Sequence, residues 1–468
     1  MKLFLKFKFV PTLFLITILG LSLRFVDYDR IPPFGETFDE FHYAWAGLTW
    51  ITTGTPVSWS WLNSYKNTSR FKRWGQSGSI VSPMLEKPPL FVWLSGLWVW
   101  IGGARDIFDV RLHQLRILPL FLSIFSILGT GILARKIFSN QIALLSAFLY
   151  ATVPTVVLAN RLSLTENLLT PITLGTLAFI FSDQTRYRLY PIIIGIGAGL
   201  AAMTKQSGLA LFITLFIFYA FLKKWRIIAI LIAIAIPMAL IYPLIGYIYN
   251  WQLYLKIITE LRTLTTLNGL PEYIFSLFRF PIISCKECIF LDGTVLLGYI
   301  LLLSGPLWLP TISDSKEQPS FTQRHKNIVL LGFPLVYIVI NSFINSGSGP
   351  IFYGWYQYPL LPFLMILTAK IFMDIWNDFH LYKMILLNII LGSAFIRLLF
   401  LFLPIEIRNY WQHIYLAFFL LIFSAWILPN VRYRKLILSI FFICFTTINI
   451  YTVIHLGQIY PSFTQPLE

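Results

Sequence analysis

Long apolar runs separated by short polar stretches fill most of this chain. A helix needs about 20 apolar residues to cross a bilayer, so runs of this length predict transmembrane helices. The predicted spans are 10–26, 117–134, 142–160, 167–182, 188–204, 207–222, 227–248, 291–311, 328–345, 358–377, 383–403, 413–428 and 436–456. The pattern therefore predicts an all-α polytopic membrane protein with about 13 transmembrane helices.

Composition supports this class of protein. The chain is 57% hydrophobic and 12% charged, whereas soluble domains contain about 25% charged residues. The net charge of +16 does not indicate a nucleic-acid partner, because most basic residues stand in short clusters between apolar runs. Such clusters mark cytoplasmic loops and so set the topology of a membrane protein.

The basic clusters also decide how one ambiguous segment is interpreted. The apolar segment Pro88–Gly103 is short for a span. The clusters at 135–136, 186–188, 223–226, 324–326 and 432–435 fall together in the cytoplasm only if that segment does not cross. We therefore predict a large first external loop, 27–116, with juxtamembrane helices, a second external loop at 249–290, and an external C-terminus.

Two adjacent carboxylates, Asp39 and Glu40, follow the first apolar run. Thr37 and Glu40 have the spacing of a capping box, which would give Glu40 a structural role. Asp39 is left without such a role, and the dipole of the same helix favours its ionised form. An ionised carboxylate beside a hydroxyl can remove its proton. We therefore predict that Asp39 performs the chemistry.

The sequence Glu86-Lys87-Pro88-Pro89 opens the predicted juxtamembrane helix. Proline is favourable at the first helical positions, and a lysine beside a helix N-terminus creates a phosphate-binding site. The alternative is that Lys87 only extends its charge to the interface. Glu86 either positions Lys87 or binds a metal ion.

Three more charged residues fall on the same predicted side: Arg161, Glu166 and Lys205. Ser163 and Glu166 fit a second capping box, which would again be structural. Arg161 is either an interfacial anchor or part of the site. Lys205 interrupts an apolar stretch, and an ionisable residue in such a place indicates function.

An aromatic segment around Tyr356 enters a late span from the external side. An aromatic belt at the membrane interface explains it. Stacking against a sugar ring or an isoprenoid tail explains it equally well.

These motifs resemble the GT-C class of membrane glycosyltransferases, in particular the bacterial branch of the protein mannosyltransferase and lipid A aminoarabinose transferase superfamily. The resemblance covers roughly the first 210 residues. The matching stretches, in chain order, are Phe38-Asp39-Glu40-Phe41-His42-Tyr43-Ala44, Glu86-Lys87-Pro88-Pro89-Leu90, Gly102-Gly103 with Arg111-Leu112, Leu164-Thr165-Glu166-Asn167 and Gly199-Leu200-Ala201-Ala202-Met203-Thr204-Lys205.

The resemblance implies an inverting transfer of a sugar from a polyprenyl or dolichyl phosphate to a hydroxyl acceptor at the external membrane face. Its implied roles are a general base for Asp39, further catalytic acids in Glu40 and Glu166, donor-phosphate binding by Lys87, Lys205 and Arg161, and substrate binding by Tyr43 and Tyr356. Some members hold a divalent cation at the acid before the lysine, here Glu86, together with a later histidine. The loop 249–290 has no histidine, so the second ligand is missing from its expected place, and a divalent cation at Glu86 is the one cofactor that the resemblance suggests.

The chain divides on this basis into two parts. Residues 1–290 form the predicted catalytic transmembrane module, and residues 291–468 are predicted to provide substrate specificity. The implied location is the bacterial plasma (inner) membrane, with the active site on its periplasmic side. The alternatives are a transporter or flippase for lipid-linked glycans, and a glycan polymerase or ligase of another fold. Cys285 and Cys288 either form a local disulfide or remain free.

Overall fold

The structure is a computed structural model that describes residues 8–33, 39–66, 68–73, 76–181, 189–266, 269–279, 292–309, 323–344, 346–350, 354–378, 381–402, 404, 406, 410–427 and 430–458. Cys285 and Cys288 lie outside these residues, so the choice between a disulfide and two thiols stays open.

The described residues are mainly helical. In chain order the helices are α1 (Phe9–Phe25), α2 (Asp39–Thr53), α3 (Pro89–Ile101), α4 (Leu112–Ile137), α5 (Asn140–Thr152), α6 (Pro154–Ala159), α7 (Thr165–Ile180), α8 (Tyr190–Thr204), α9 (Leu209–Phe221), α10 (Trp225–Leu264), α11 (Leu270–Arg279), α12 (Gly293–Leu303), α13 (Gly305–Trp308), α14 (Gln323–Ile344), α15 (Leu361–Asn377), α16 (Leu381–Phe402), α17 (Trp411–Ile427) and α18 (Val431–Ile454).

In the described part of the chain every predicted span coincides with helical residues, although 142–160 covers two helices, α5 and α6, and 291–311 covers α12 and α13. Five of the helical segments in the described part of the chain are long and apolar enough to cross a membrane by themselves. The predicted spans 188–204 and 207–222 correspond to two helices, α8 and α9, which are joined by a short 3-10 helix at Gln206–Gly208. The break predicted at Lys205 is therefore confirmed, while the total of about 13 crossings stays a prediction.

The beginning of the second predicted external loop, 249–290, is helical. Helix α10 runs on from the span 227–248 to Leu264, with non-helical backbone at Asn250 (φ −170°, ψ 97°). The Glu260 carboxylate on this extension accepts the backbone N–H groups of Asn63 and Ser64 at 2.7 and 2.8 Å. Tyr242 on the same helix donates to the carbonyl of Leu85 at 3.0 Å. Helix α10 therefore holds the first external loop against the helical bundle.

That first loop is a compact unit of helices α2 and α3 and a small antiparallel sheet. The sheet contains β1 (Ser58–Ser60), β2 (Ser69–Arg73) and β3 (Gln76–Val81) in the order β1-β3-β2. Helix α3 begins at Pro89 after Pro88 at its N-cap, as the sequence predicts. Elsewhere α1, α4, α5 and α7 pack together, α8 packs on α10, and α12 packs on α15 and α16.

Helices α2 and α3 touch at two glycines. A Cβ added at Gly47 would stand 1.9 Å from the carbonyl oxygen of Val92, and one added at Gly96 would stand 2.1 Å from the carbonyl carbon of Gly47. Both distances are far below van der Waals contact, so only glycine permits this approach. The contact fixes α2, which begins at Asp39, relative to α3, which begins just after Lys87.

We expect Gly96→Ala to lower the stability of the protein by about 1–3 kcal/mol, because the added methyl group must push the two backbones apart. The measurement is the midpoint of thermal unfolding in detergent. The matched control is Gly175→Ala in α7, where an added Cβ has no atom within 4 Å and helix propensity favours alanine by about 1 kcal/mol. Equal midpoints for the two variants would contradict the close approach.

Candidate active site

Four charged side chains from separate parts of the sequence meet at one place. Lys87 Nζ lies 3.8 Å from Asp39 Oδ2, and Lys205 forms an ion pair with Glu166. Lys205 is also within electrostatic range of Lys87 and Asp39. The structure therefore brings together two acids and two lysines that the sequence predicted as site residues.

Each of the two lysines lies over the ring of a tyrosine. Lys87 Nζ lies over the Tyr43 ring, 5.6 Å from its centroid, and Lys205 Nζ lies over the Tyr356 ring at 4.2 Å. Both distances are within the range of about 6 Å at which a ring face attracts a cation. Tyr43 and Tyr356 are thus placed at the site, beside the two cations.

The local charges keep Lys87 protonated. Burial acts to lower the pKa of the Lys87 amine, but its neighbours, above all the carboxylate of Asp39, outweigh burial and hold the pKa well above its ordinary value. The side chains of Lys87 and Asp39 remain 26% and 23% exposed. A permanent cation and a carboxylate can therefore both be reached from outside the protein.

Glu40 has a structural role through tertiary contacts. Its buried carboxylate accepts from Arg116 Nε at 3.1 Å and Nη2 at 2.9 Å, and from the backbone N–H of Ser163 at 2.8 Å. Thr37, the other half of the predicted capping box, lies outside the described residues. Because its oxygens are occupied by Arg116 and Ser163, Glu40 is poorly placed to take a substrate proton.

The second predicted capping box is wrong. Helix α7 begins at Thr165, and its N-cap is Leu164, without a side-chain cap. Glu166 instead accepts from the Thr165 hydroxyl at 2.9 Å and from Lys205. The tertiary partner Lys205 has replaced the local cap, so Glu166 belongs to the site.

Arg161 lies among backbone carbonyls. Its guanidinium is fully buried and donates to the carbonyl oxygens of Leu23 at 3.0 Å and Ile31 at 3.3 Å. These contacts tie the end of α1 and the following segment to the turn before α7. They do not support the predicted contact of Arg161 with a donor phosphate.

A buried polar network that the sequence analysis missed holds the same turn. Arg24 Nη2 donates to Asn160 Oδ1 at 2.8 Å, and Asn160 Nδ2 donates to Asn167 Oδ1 at 2.8 Å. Asn167 in turn donates to the carbonyl of Leu162 at 2.7 Å. A signal was available, because Arg24 is an ionisable residue near the end of an apolar run, where a charge requires a partner.

Glu86 lies beside His42, which also escaped the sequence analysis. His42 Nε2 and Glu86 Oε2 are 3.8 Å apart, and His42 Nδ1 is 2.9 Å from the carbonyl oxygen of Trp59. Burial lowers the pKa of His42 to about 4 and raises the pKa of Glu86 to about 7. Both side chains therefore tend towards their neutral forms.

Two side chains are too few for a zinc site. Zinc centres use at least three protein ligands as a rule, and the described residues contain no group of three or more His, Cys, Asp or Glu that could hold a metal ion. Glu86 and His42 by themselves therefore do not fit a zinc ion.

Comparison with known proteins supports this fold. Residues 86–247 match the family model described as dolichyl-phosphate-mannose-protein mannosyltransferase. A comparison with curated protein sequences found no match. Among solved structures, ArnT from Cupriavidus metallidurans in the apo state is similar, with a TM-score of 0.56, 13% identity, and coverage of 95% of this chain and 76% of ArnT.

The same ArnT bound to undecaprenyl phosphate matches with a TM-score of 0.54 and 14% identity, over 97% of this chain and 76% of ArnT. The chain thus has the fold of the GT-C class of membrane glycosyltransferases. Its fold is similar to that of ArnT, and the segment matched by the family model begins at Glu86, next to Lys87.

We expect Arg116→Met to destabilise the protein by about 3–5 kcal/mol, because it leaves the buried Glu40 carboxylate without its cation. The double variant Glu40→Leu/Arg116→Met removes both charges and should recover much of that loss. The control is Lys370→Met, which breaks the partly exposed pair with Asp374 and should cost about 0.5 kcal/mol. Thermal unfolding in detergent measures all three, and an Arg116→Met protein as stable as the control would refute the assignment.

The raised pKa of Glu86 predicts a pH dependence. A raised pKa in the folded state means that the contribution of Glu86 to stability is greatest below its ordinary value of 4.5 and is lost as the pH rises to about 7. Gln cannot ionise, so Glu86→Gln should match the wild type at pH 4.5 and exceed it by roughly 1–3 kcal/mol at pH 8.

Unfolding midpoints of the two proteins across this pH range test the prediction. His42 titrates in the opposite sense, since its lowered pKa of about 4 gives stability that is lost as the pH falls. Both proteins retain His42, so their difference isolates Glu86. A difference that does not change between pH 4.5 and 8 would be inconsistent with a buried, titrating Glu86.

Proposed function

We propose that this protein is an inverting glycosyltransferase that moves a sugar from a polyprenyl phosphate to a hydroxyl acceptor at the external face of a membrane. The observation that carries the proposal is the position of Asp39, whose carboxylate lies 3.8 Å from Lys87 and within electrostatic range of Lys205. A base beside two cations is the arrangement that such a transfer requires.

In this mechanism Asp39 acts on the acceptor. Its carboxylate takes the proton from the acceptor hydroxyl while that oxygen attacks the anomeric carbon of the sugar. General-base catalysis of this kind contributes about 10²–10⁴-fold to a rate. Asp39 is the first residue of α2, where the dipole of a helix attracts negative charge.

Lys87 and Lys205 act on the donor. As the new bond forms, the bond between the anomeric carbon and the phosphate oxygen breaks, and the lipid leaves as a polyprenyl phosphate with an additional negative charge. Positive groups held at the place where charge develops stabilise the transition state. Glu166 keeps Lys205 in position through their ion pair, and Tyr43 and Tyr356 do the same for the two lysines through their ring faces.

The comparison with ArnT supports the class of donor. That protein was crystallised with undecaprenyl phosphate, a lipid whose phosphate head carries the charge that two lysines can bind. We extend this to a polyprenyl-phosphate sugar for the present chain. The location in a bacterial plasma membrane, with the site on the external side, belongs to the same proposal.

We expect Asp39→Asn to lower kcat at least about 100-fold, because the amide keeps the shape of the side chain but cannot accept the proton. Binding of undecaprenyl phosphate should be unchanged or tighter, because a negative charge beside Lys87 has been removed. The assay follows undecaprenyl phosphate release from a panel of undecaprenyl-phosphate sugars, with a mixture of membrane glycolipids as acceptors.

The control is Asp374→Asn, which alters an acid that pairs with Lys370 one turn away on α15 and should leave turnover at the wild-type value. Full turnover by Asp39→Asn would exclude Asp39 as the base. Movement of the intact sugar lipid across the membrane, without release of undecaprenyl phosphate, would instead favour a transporter.

A further inference from the structure

The amide of Gln357 is fully buried and only half satisfied. The side chain has 0% of its surface exposed, and its Oε1 accepts a hydrogen bond from the Tyr299 hydroxyl at 2.7 Å. Its Nε2 has no hydrogen-bond partner in the described part of the chain. Buried amide groups are nearly always paired with protein or water, so this atom is available to a water molecule or to a ligand.

The conclusion does not depend on which amide atom is oxygen. The two atoms are assigned from their hydrogen bonds, and a tyrosine hydroxyl can donate or accept. If Gln357 were turned over, Nε2 would donate to Tyr299 and Oε1 would lack a partner. One polar atom of the amide remains available in either orientation.

Buried tyrosine hydroxyls extend from this amide towards the active site. Tyr299, which donates to Gln357, is within electrostatic range of Tyr337, and Tyr273, Tyr299 and Tyr337 are all fully buried. Tyr273 is within electrostatic range of Tyr299, Tyr337, Tyr356 and Glu166. This hydroxyl cluster carries no net charge and reaches to within electrostatic range of Glu166.

The position of Gln357 along the chain places it next to the proposed phosphate site. Tyr356, the preceding residue, lies against Lys205. Both residues belong to the 3-10 helix Gly354–Leu360, which has three residues per turn, so consecutive side chains point in different directions. One therefore reaches the cation while the next reaches the hydroxyl cluster.

We propose that Gln357, Tyr299, Tyr337 and Tyr273 form the pocket for the sugar of the donor, and that the sugar is an uncharged one. This rests on the proposed function, since a sugar joined directly to the phosphate at Lys205 must occupy the adjoining space. Amide and hydroxyl groups pair with sugar hydroxyls, and the free atom of Gln357 receives one of them. A pocket whose polar groups are neutral has no counter-charge for an amino sugar, since Glu166 already pairs with Lys205.

The test measures the contribution of the sugar to the binding affinity separately from that of the phosphate. Full-length protein in detergent is titrated with undecaprenyl phosphate, undecaprenyl-phosphate mannose, undecaprenyl-phosphate glucose and undecaprenyl-phosphate aminoarabinose. We expect the wild type to bind at least one of the neutral sugar lipids about tenfold more tightly than undecaprenyl phosphate, and more tightly than the amino sugar lipid.

Gln357→Leu should reduce the ratio of the Kd for undecaprenyl phosphate to the Kd for the neutral sugar lipid about fivefold to tenfold, which is the effect of one lost hydrogen bond. In turnover assays the same variant should raise KM more than it lowers kcat. Its Kd for undecaprenyl phosphate should stay at the wild-type value. Tyr299→Phe, a milder change that keeps the ring, should give a smaller loss of the same kind. Asn388→Leu, which removes a buried amide of α16, is the matched control. It should change neither the Kd for undecaprenyl phosphate nor the Kd for the neutral sugar lipid.

Several results would overturn this proposal. A wild type that binds the neutral sugar lipids no better than undecaprenyl phosphate would exclude the pocket, and so would an unchanged ratio in Gln357→Leu, which would leave only a buried water at the amide. Preference for the aminoarabinose lipid would exclude a neutral sugar. In each case continued binding of undecaprenyl phosphate would leave the proposed function standing, whereas its failure to bind the wild type would overturn both.

Discussion

A buried ion pair between Glu40 and Arg116 is the interaction on which the rest of the site depends. Arg116 Nη1 also donates to the carbonyls of Tyr28 and Pro32 at 3.1 and 2.7 Å, while Glu40 accepts from the backbone of Ser163. The pair thus joins the segment after α1, the start of α2, the start of α4 and the turn before α7. Removing two charges from water has a cost that their attraction offsets only in good geometry, so its principal role here is to specify the arrangement.

The arrangement explains why neighbouring acids have different roles. Glu40 points into the protein and holds α2 in place, and Asp39, one residue earlier, is left at the site with Lys87. On the other side of the site the turn carrying Glu166 is held by a buried network that starts at Arg24. Buried contacts therefore fix the segments on both sides of the site, and such preorganisation is what the proposed stabilisation of a leaving phosphate would need.

The two halves of the chain meet at this site. The acids and lysines come from the first 205 residues, whereas Tyr356 and the buried Gln357 come from a late segment. The division of residues 1–290 and 291–468 into a catalytic and a specificity part stays a prediction. The contact between Lys205 and Tyr356 shows how the two predicted parts would cooperate. The residues proposed to bind the phosphate would lie next to those proposed to bind the sugar.

The sequence by itself determined the helices and their order, because a long apolar run is what a helix in the bilayer requires. It also predicted that four charged residues lie on one side of the membrane, because charges are rare in this chain and the topology groups them. These residues are Asp39, Lys87, Glu166 and Lys205. The sequence also placed Lys87 directly before the N-terminus of a helix, because proline favours the first positions of a helix and this preference depends only on the local sequence. Only the tertiary structure decided the partners. Arg116 reaches Glu40 across 76 residues and Tyr299 reaches Gln357 across 58. Such pairs follow from how helices pack, and no local pattern in the chain encodes them.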